Sequence, residues 1–206
     1  MATHAESRPE SPVAADRLHR ITLDVYSKMG QLGLITKADR VVLIYGLLVK
    51  KMTKGPRYTF VVQSVVDLLG GLGLEGRYVR KEDPIVLPNG PDGHDDAPEP
   101  DVVLARGSKQ DYRDHHPGPG EIALIVEVSD TTLRDDRSML ARYAWAGIPV
   151  VWIVNLSDGT IEVYETPLAA ADPHYGDCRV VGNGDEVEVT ADGQVLGRVR
   201  VSDVLP

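Results

Sequence analysis

Among its 206 residues the sequence has a single cysteine, Cys178. A lone cysteine excludes an internal disulfide framework and any metal site built from several thiolates. The longest apolar stretches are much shorter than a membrane span, and the N-terminal residues have no apolar core of the kind found in signal peptides. The sequence therefore predicts a cytoplasmic protein without a membrane partner.

Positive charge is also scarce, and the formal net charge is -9. A protein that coats nucleic acid non-specifically gains its affinity from clustered Lys and Arg, so this balance argues against that class. It does not exclude an enzyme that acts on nucleic acid, because local clusters of positive residues remain. Each cluster is either a solvated surface or part of a groove. The clusters are Lys50-Lys51, Lys54-Arg57, Arg77-Arg80-Lys81 and Arg134-Arg137-Arg142.

The N-terminal half alternates polar segments with short apolar ones. Residues 1–15 mix Ser, Pro, Glu and Ala without periodicity, which predicts a disordered arm before a single domain spanning residues 16–206. Apolar residues at helical spacing predict a first helix with Asp16 as its N-cap and Gly30 at its end. Apolar segments on both sides of Tyr45-Gly46 predict a hairpin, and the valine-rich residues 58–69 predict a buried helix.

In the C-terminal half, apolar runs predict strands over 102–105, 122–128 and 150–156, with an amphipathic helix over 136–145. Residues 161–164 complete a hairpin, and short strands around 179–181, 187–189 and 195–201 finish the chain. Because exposed strand edges pair readily, the late strands from Arg179 to Val201 are a candidate contact for a homodimer.

One ionisable residue interrupts the most apolar of these strands. Glu127 lies within the run Ile122 to Val128, and a carboxylate in such surroundings costs several kcal/mol unless a cation, hydrogen bonds or a proton compensates it. Asp101 opens a second apolar strand, directly after Pro100. The alternatives are structural: Glu127 pairs internally with a nearby arginine or with backbone amides, and Asp101 caps a turn.

The two acids have the layout of a metal-dependent phosphodiesterase. Asp101 is followed after 25 intervening residues by Glu127, and Glu127 by a polar turn and an amphipathic helix. Two carboxylates suit Mg²⁺ or Mn²⁺, because hard cations prefer oxygen ligands. The bound ion would polarise the scissile phosphate and lower the pKa of the attacking water. Such a site usually also needs a cation, often a lysine, near the developing charge.

Several short motifs accompany the two acids, over residues 40 to 164. They are Lys51-Met52-Thr53-Lys54-Gly55-Pro56, Glu99-Pro100-Asp101-Val102-Val103, Asp111-Tyr112, His116-Pro117-Gly118-Pro119, Val126-Glu127-Val128-Ser129-Asp130, Asp136-Arg137, Tyr143-Ala144-Trp145-Ala146-Gly147-Ile148-Pro149, Val151-Trp152-Ile153-Val154-Asn155-Leu156 and Val163-Tyr164. In this combination the chain resembles the Uma2-type (DUF820) proteins, a branch of the PD-(D/E)XK nuclease superfamily widespread in bacteria.

The resemblance implies an α/β (α+β) fold with a restriction-endonuclease-like core, a curved mixed sheet flanked by helices, followed here by extra C-terminal strands. It also implies that Asp101 and Glu127 hold Mg²⁺ or Mn²⁺. This chain departs from the family pattern at four places. Val42 and Tyr45 stand where the family has acids, Tyr58 stands where it has a histidine, and its helix lysine falls on Met139 or Leu140.

The missing lysine leaves Arg137 and Arg142 as candidates for the catalytic cation, although arginine clamps phosphate better than it transfers protons. The first hypothesis is therefore a Mg²⁺- or Mn²⁺-dependent endonuclease with a degraded site, acting on DNA more than on RNA. The second is a catalytically inactive descendant that binds a protein, nucleic acid or small molecule. A third, recruitment to another chemistry, has no residue that supports it.

Overall fold

The computed structural model describes residues 17–206, and the disordered arm predicted for residues 1–15 lies outside them. Its helices are α1 (Leu23–Gln31), α2 (Pro56–Gly71), α3 (Leu133–Trp145) and α4 (Val201–Val204). Its strands are β1 (Val41–Ile44), β2 (Leu47–Lys50), β3 (Arg77–Lys81), β4 (Val102–Arg106), β5 (Ile122–Ser129), β6 (Val150–Asn155), β7 (Thr160–Leu168), β8 (His174–Gly182), β9 (Glu186–Ala191) and β10 (Gln194–Arg200).

A six-stranded mixed sheet in the order β3-β4-β5-β6-β7-β8 forms the centre of the structure. Strands β5 and β6 run parallel, since helix α3 carries the chain from the end of one to the start of the other. The other neighbouring pairs are antiparallel. Strand β4 therefore begins beside the end of β5.

Both faces of this sheet are covered. Helix α2, helix α4 and the hairpin β9–β10 pack on one face, where alternate residues of β5 such as Leu124 and Val126 join a large apolar cluster. Helix α3 packs on the other face through Tyr143 and Ala144, which contact a second cluster containing Ile125. The prediction of a mixed sheet flanked by helices is confirmed. By alternation along β5, Glu127 belongs to the face that α3 covers.

The N-terminal hairpin β1–β2 turns at Tyr45-Gly46, as the sequence predicted. It joins the segment before β4 through the amide of Ala97, which donates to the Leu43 carbonyl at 2.8 Å. Helix α1 begins later than predicted, at Leu23 rather than directly after Asp16. Thr22 caps it by accepting a hydrogen bond from the Val25 amide, so a good N-cap nearer the apolar residues sets the start.

Strands β8 and β9 are longer than predicted, and the late strands divide into two groups. Strand β8 covers nine residues from His174 and pairs along most of β7, which makes it the last strand of the central sheet. Strands β9 and β10 form a separate two-stranded sheet, and its residues Val187, Val189 and Val199 are buried on the central sheet. Among residues 17–206, no helix is both long enough and apolar enough to cross a membrane.

Candidate active site

Asp101 and Glu127 lie on adjacent strands, where β4 begins beside the end of β5. Val102 pairs with Val126 in antiparallel register. Asp101, which precedes Val102, therefore lies beside Glu127, which follows Val126. The backbone N–H of Asp101 donates to Oε2 of Glu127 at 3.3 Å. Both side chains are half-buried. The structure thus brings together the two acids that the sequence singled out.

Hydroxyl and amide donors from both sides of the sheet hold the two carboxylates. Tyr58, in the first turn of α2, donates its hydroxyl to Oδ1 of Asp101. The amide of Val128 donates to Oδ2 of the same carboxylate at 2.6 Å. From the opposite face, the Tyr143 hydroxyl on α3 donates to Oε1 of Glu127 at 2.6 Å. Each acid therefore has a tyrosine partner from a different helix, and both carboxylates have fixed orientations.

Burial and mutual repulsion shift the titration of these acids. Burial raises the pKa of Asp101 to about 7, although the donors from Tyr58 and Val128 lower it. Burial raises the pKa of Glu127 well above its ordinary value, and the charge of Asp101 raises it further. Such shifts are common in the carboxylates of functional sites, where burial and like charges are arranged to change the pKa.

A third acid, Asp136 on α3, adds to this negative charge. Its carboxylate accepts a hydrogen bond from the Thr132 hydroxyl at 2.7 Å, and burial raises its pKa. The charge of Asp136 in turn raises the pKa of both Asp101 and Glu127. Three carboxylates therefore share one region, where a cation would stabilise all of them.

The cation beside these acids is Lys54, from the segment between β2 and α2. Its ammonium group forms an ion pair with Glu82 and lies 5.5 Å from the centre of the Tyr58 ring. The positive charge of Lys54 lowers the pKa of Asp101. From the sequence, Lys54 was predicted only as part of a positive cluster, on a solvated surface or in a groove, and not as a group of this site. Lys54 directly precedes Gly55-Pro56, where the helix that carries Tyr58 begins, and this position in the sequence is the signal that Lys54 lies near the site.

Arg137 lies on α3 but binds elsewhere on the sheet. Its guanidinium donates to both carboxylate oxygens of Glu162, at 3.1 and 2.6 Å. Glu162 of β7 and Glu127 of β5 both pair with Ile153 of β6, so the two glutamates share one face and lie two strands apart. Arg137 is thus on the same face as Glu127 but is held away from it.

The structure does not bring Arg142 to the two acids. Its guanidinium, 1% exposed, contacts Asp92 at 2.7 Å and the fully buried Asp96 at 3.1 Å, and it lies 3.9 Å from the centre of the Tyr45 ring. A Cβ at Gly90 would lie 1.7 Å from this guanidinium, so the loop before β4 closes tightly around it. Met139 and Leu140, at the family's lysine position on α3, are partly buried and pack against the apolar cluster on this face of the sheet.

A groove of about 1320 Å³ opens next to the site, between α1, the hairpin and the residues that lead into β4. Lys54 and Glu82 line it, so the groove reaches the groups that contact Tyr58. Its wall also holds the ion pair of Lys51 with Glu99, two residues before Asp101. A ligand in the groove would therefore approach the carboxylates from the side of Lys54.

A six-stranded mixed sheet between helices, with two acids side by side on adjacent strands, defines the restriction-endonuclease-like class of protein. Within this class the chain belongs to the Uma2 family, which is described as "Putative restriction endonuclease" and whose model matches residues 28–196.

A solved structure supports the same fold. It is described as a "putative nuclease" belonging to DUF820 from Anabaena variabilis ATCC 29413, and it superposes with a TM-score of 0.64 at 16% sequence identity. The match covers 89% of this chain and 97% of that one. Comparison with curated proteins finds no match.

Proposed function

We propose that the protein is a Mg²⁺- or Mn²⁺-dependent endonuclease of the bacterial cytoplasm that hydrolyses phosphodiester bonds in DNA. The observation that carries this proposal is the contact between Asp101 and Glu127 on adjacent strands, with raised pKa values and a third acid nearby. Membership of the Uma2 family supports a nuclease as the class of enzyme.

Asp101 and Glu127 fit a divalent metal because they supply hard oxygen donors in a region with surplus negative charge. When bound, the ion would polarise the scissile phosphate and lower the pKa of the attacking water. The hydroxyls of Tyr58 and Tyr143 orient the two carboxylates from outside the metal position. Such outer partners commonly fix the ligands of a metal site.

We assign the cationic role of the missing helix lysine to Lys54. Its ammonium group reaches Glu82 beside the Tyr58 ring, so a phosphate near Asp101 would lie within the field of its charge. Arg137 is the second candidate, because it lies on the face of Glu127 but would first have to leave Glu162. Arg142 is buried in ion pairs with Asp92 and Asp96, so it is not free to serve as the catalytic cation.

A second function, binding without catalysis, is favoured by two observations. In the described part of the chain, no three or more His, Cys, Asp and Glu side chains are grouped so as to hold a metal ion. Both carboxylates also already accept tyrosine hydroxyls. Under this alternative the acids are remnants, and the groove beside them binds a protein, nucleic acid or small molecule.

Titration calorimetry with Mn²⁺ separates the two functions when it is paired with cleavage of plasmid and single-stranded DNA by the same preparations. We expect saturable binding and cleavage in the wild type, and loss of both in Asp101→Asn/Glu127→Gln. The cleavage rate should fall at least about 10³-fold, since the bound metal and its stabilisation of the transition-state charge are lost together. Metal binding without cleavage, or no metal binding, would support the binding function instead.

A further inference from the structure

Strand β8 is an open edge of the central sheet. It is nine residues long and, among residues 17–206, pairs only with β7. Most of its side chains are exposed, and Val180 keeps 64% of its surface in contact with solvent. An edge of this length presents a row of backbone donors and acceptors to any further strand.

The sequence of this edge is complementary to itself. Asp177, Cys178 and Arg179 are consecutive in its middle. If a second β8 pairs antiparallel about a two-fold axis at Cys178, Asp177 of each copy faces the partner's Arg179. The axis generates this opposite-charge contact twice, and cross-strand pairs of opposite charge stabilise an antiparallel ladder. The same register places the exposed Val180 opposite the partner's Gly176, which leaves room for the valine side chain.

The other edge of the sheet lacks this property. Strand β3 reads Arg77-Tyr78-Val79-Arg80-Lys81, so antiparallel pairing about Val79 would set Arg77 against the partner's Lys81. Like charges directly opposite each other destabilise a ladder. The two edges of one sheet therefore differ, and only β8 matches a second copy of itself in charge.

We propose that two copies of the chain associate through their β8 strands, antiparallel about Cys178, so that the two central sheets become continuous. Asp177 and Arg179 set the register of the contact. The interface lies on the opposite edge of the sheet from β3, three strands away from β5, which carries Glu127. The proposal does not rest on the nuclease function, because it uses no residue of that site.

Charge exchange at the interface tests this register in the full-length chain. We expect light scattering and sedimentation to give a dimer for the wild type, and dissociation constants at least about tenfold higher for Asp177→Arg and for Arg179→Asp. The double variant restores opposite charges across the axis, so its dissociation constant should return to near the wild-type value. Asp114→Arg and Arg113→Asp, in an exposed ion pair elsewhere, are controls with the same changes of net charge.

Cys178 gives an independent readout, because it is the single cysteine of the sequence and is exposed. A short bismaleimide should link two wild-type chains through Cys178 and fail to link the single variants, while thermal melting confirms that these variants are folded. A monomer at every concentration would overturn the proposal. So would a dimer that is unaffected by the single substitutions, or one that the reagent does not link.

Discussion

Asp96 beside Arg142 is fully buried and the acids around Glu127 are half-buried, but among residues 17–206 only the Arg142 group pairs its acids directly with a cation. Asp92 and Asp96 contact the Arg142 guanidinium directly. Glu127 and Asp101 instead accept tyrosine hydroxyls, while the lysine beside them is already paired with Glu82. The first cluster pairs its charges within the protein and ties the loop before β4 to α3. Within residues 17–206 the acids of the second cluster form no ion pair with Lys or Arg, so a divalent cation could bind them and favour their ionised forms.

Removing the buried cation should have the largest effect on stability. Arg142→Met keeps the length of the side chain but leaves Asp96 buried without its partner, so we expect the free energy of unfolding to fall by about 3–5 kcal/mol. Urea denaturation at pH 7 measures this. Arg113→Met is the matched control, because its ion pair is exposed and should contribute less than about 1 kcal/mol.

The loss in Arg142→Met should also depend on pH. Burial already raises the pKa of Asp96 to about 6 in the presence of Arg142, and loss of the cation should raise it further. Because protonation neutralises Asp96, the variant should recover stability as the pH falls through that raised pKa. A variant that loses less than about 1 kcal/mol, or whose deficit grows in acid, would contradict a structural role for this cluster.

Substitution of Lys54 tests the catalytic side of the comparison. Lys54→Met should reduce kcat about 10²-fold, because charge near the scissile phosphate is lost, and should change Mn²⁺ affinity much less. Lys54→Arg should retain part of the activity. Arg137→Met serves as the comparison, with cleavage of a fluorescent oligonucleotide as the measurement. Full activity in Lys54→Met together with loss in Arg137→Met would transfer the role to Arg137.

The metal-free protein should lose stability as its surplus carboxylates ionise. The pKa of Asp101 is raised from 3.8 to about 7, so the folded state binds more protons than the unfolded state between these values. This contribution to the free energy of unfolding therefore decreases as pH rises from about 4 to about 7. Allowing for the partial exposure of Asp101, we expect the free energy of unfolding to decrease by roughly 1–2 kcal/mol over this range.

Urea denaturation in EDTA, compared with Asp101→Asn, measures that decrease. The variant should show a flatter dependence on pH over the same range, since its amide does not ionise. Added Mg²⁺ should stabilise the wild type at pH 8 and leave the variant unchanged. Identical profiles for the two proteins would show that Asp101 does not titrate abnormally.

The contrast between the two clusters also explains what the sequence could and could not predict. Asp101 and Glu127 stand out because each interrupts or opens an apolar strand, and period-two alternation together with strand order then places them side by side. The hairpin at Tyr45-Gly46 and the helix of residues 56–71 follow from equally local patterns.

The partners of buried charges are long-range, and no local pattern encodes them. Arg142 is 46 residues from Asp96 in the chain, and α3 alone gave no reason to separate its role from that of Arg137. Lys54 reaches the site only because α2 packs across the face of the sheet opposite α3. The loop before β4 is rich in Pro, Gly and Asp and has no apolar pattern, yet Arg142 and the Trp145 indole tie it to α3. The indole N–H donates to the Asn89 carbonyl at 2.7 Å.

The smallest effect should come from removing the Tyr58 hydroxyl, which donates a hydrogen bond to the Asp101 carboxylate. Tyr58→Phe removes the hydrogen bond to Oδ1, which should cost the ionised form about 1 kcal/mol and raise the pKa of Asp101 by less than about one unit. Carbon-13 NMR titration of labelled aspartate in the metal-free protein measures the shift. Tyr112→Phe is the control, because its hydroxyl donates to the Arg106 carbonyl instead. Since a donor favours the charged form, an unchanged or lower pKa in Tyr58→Phe would mean that Tyr58 does not stabilise the ionised site.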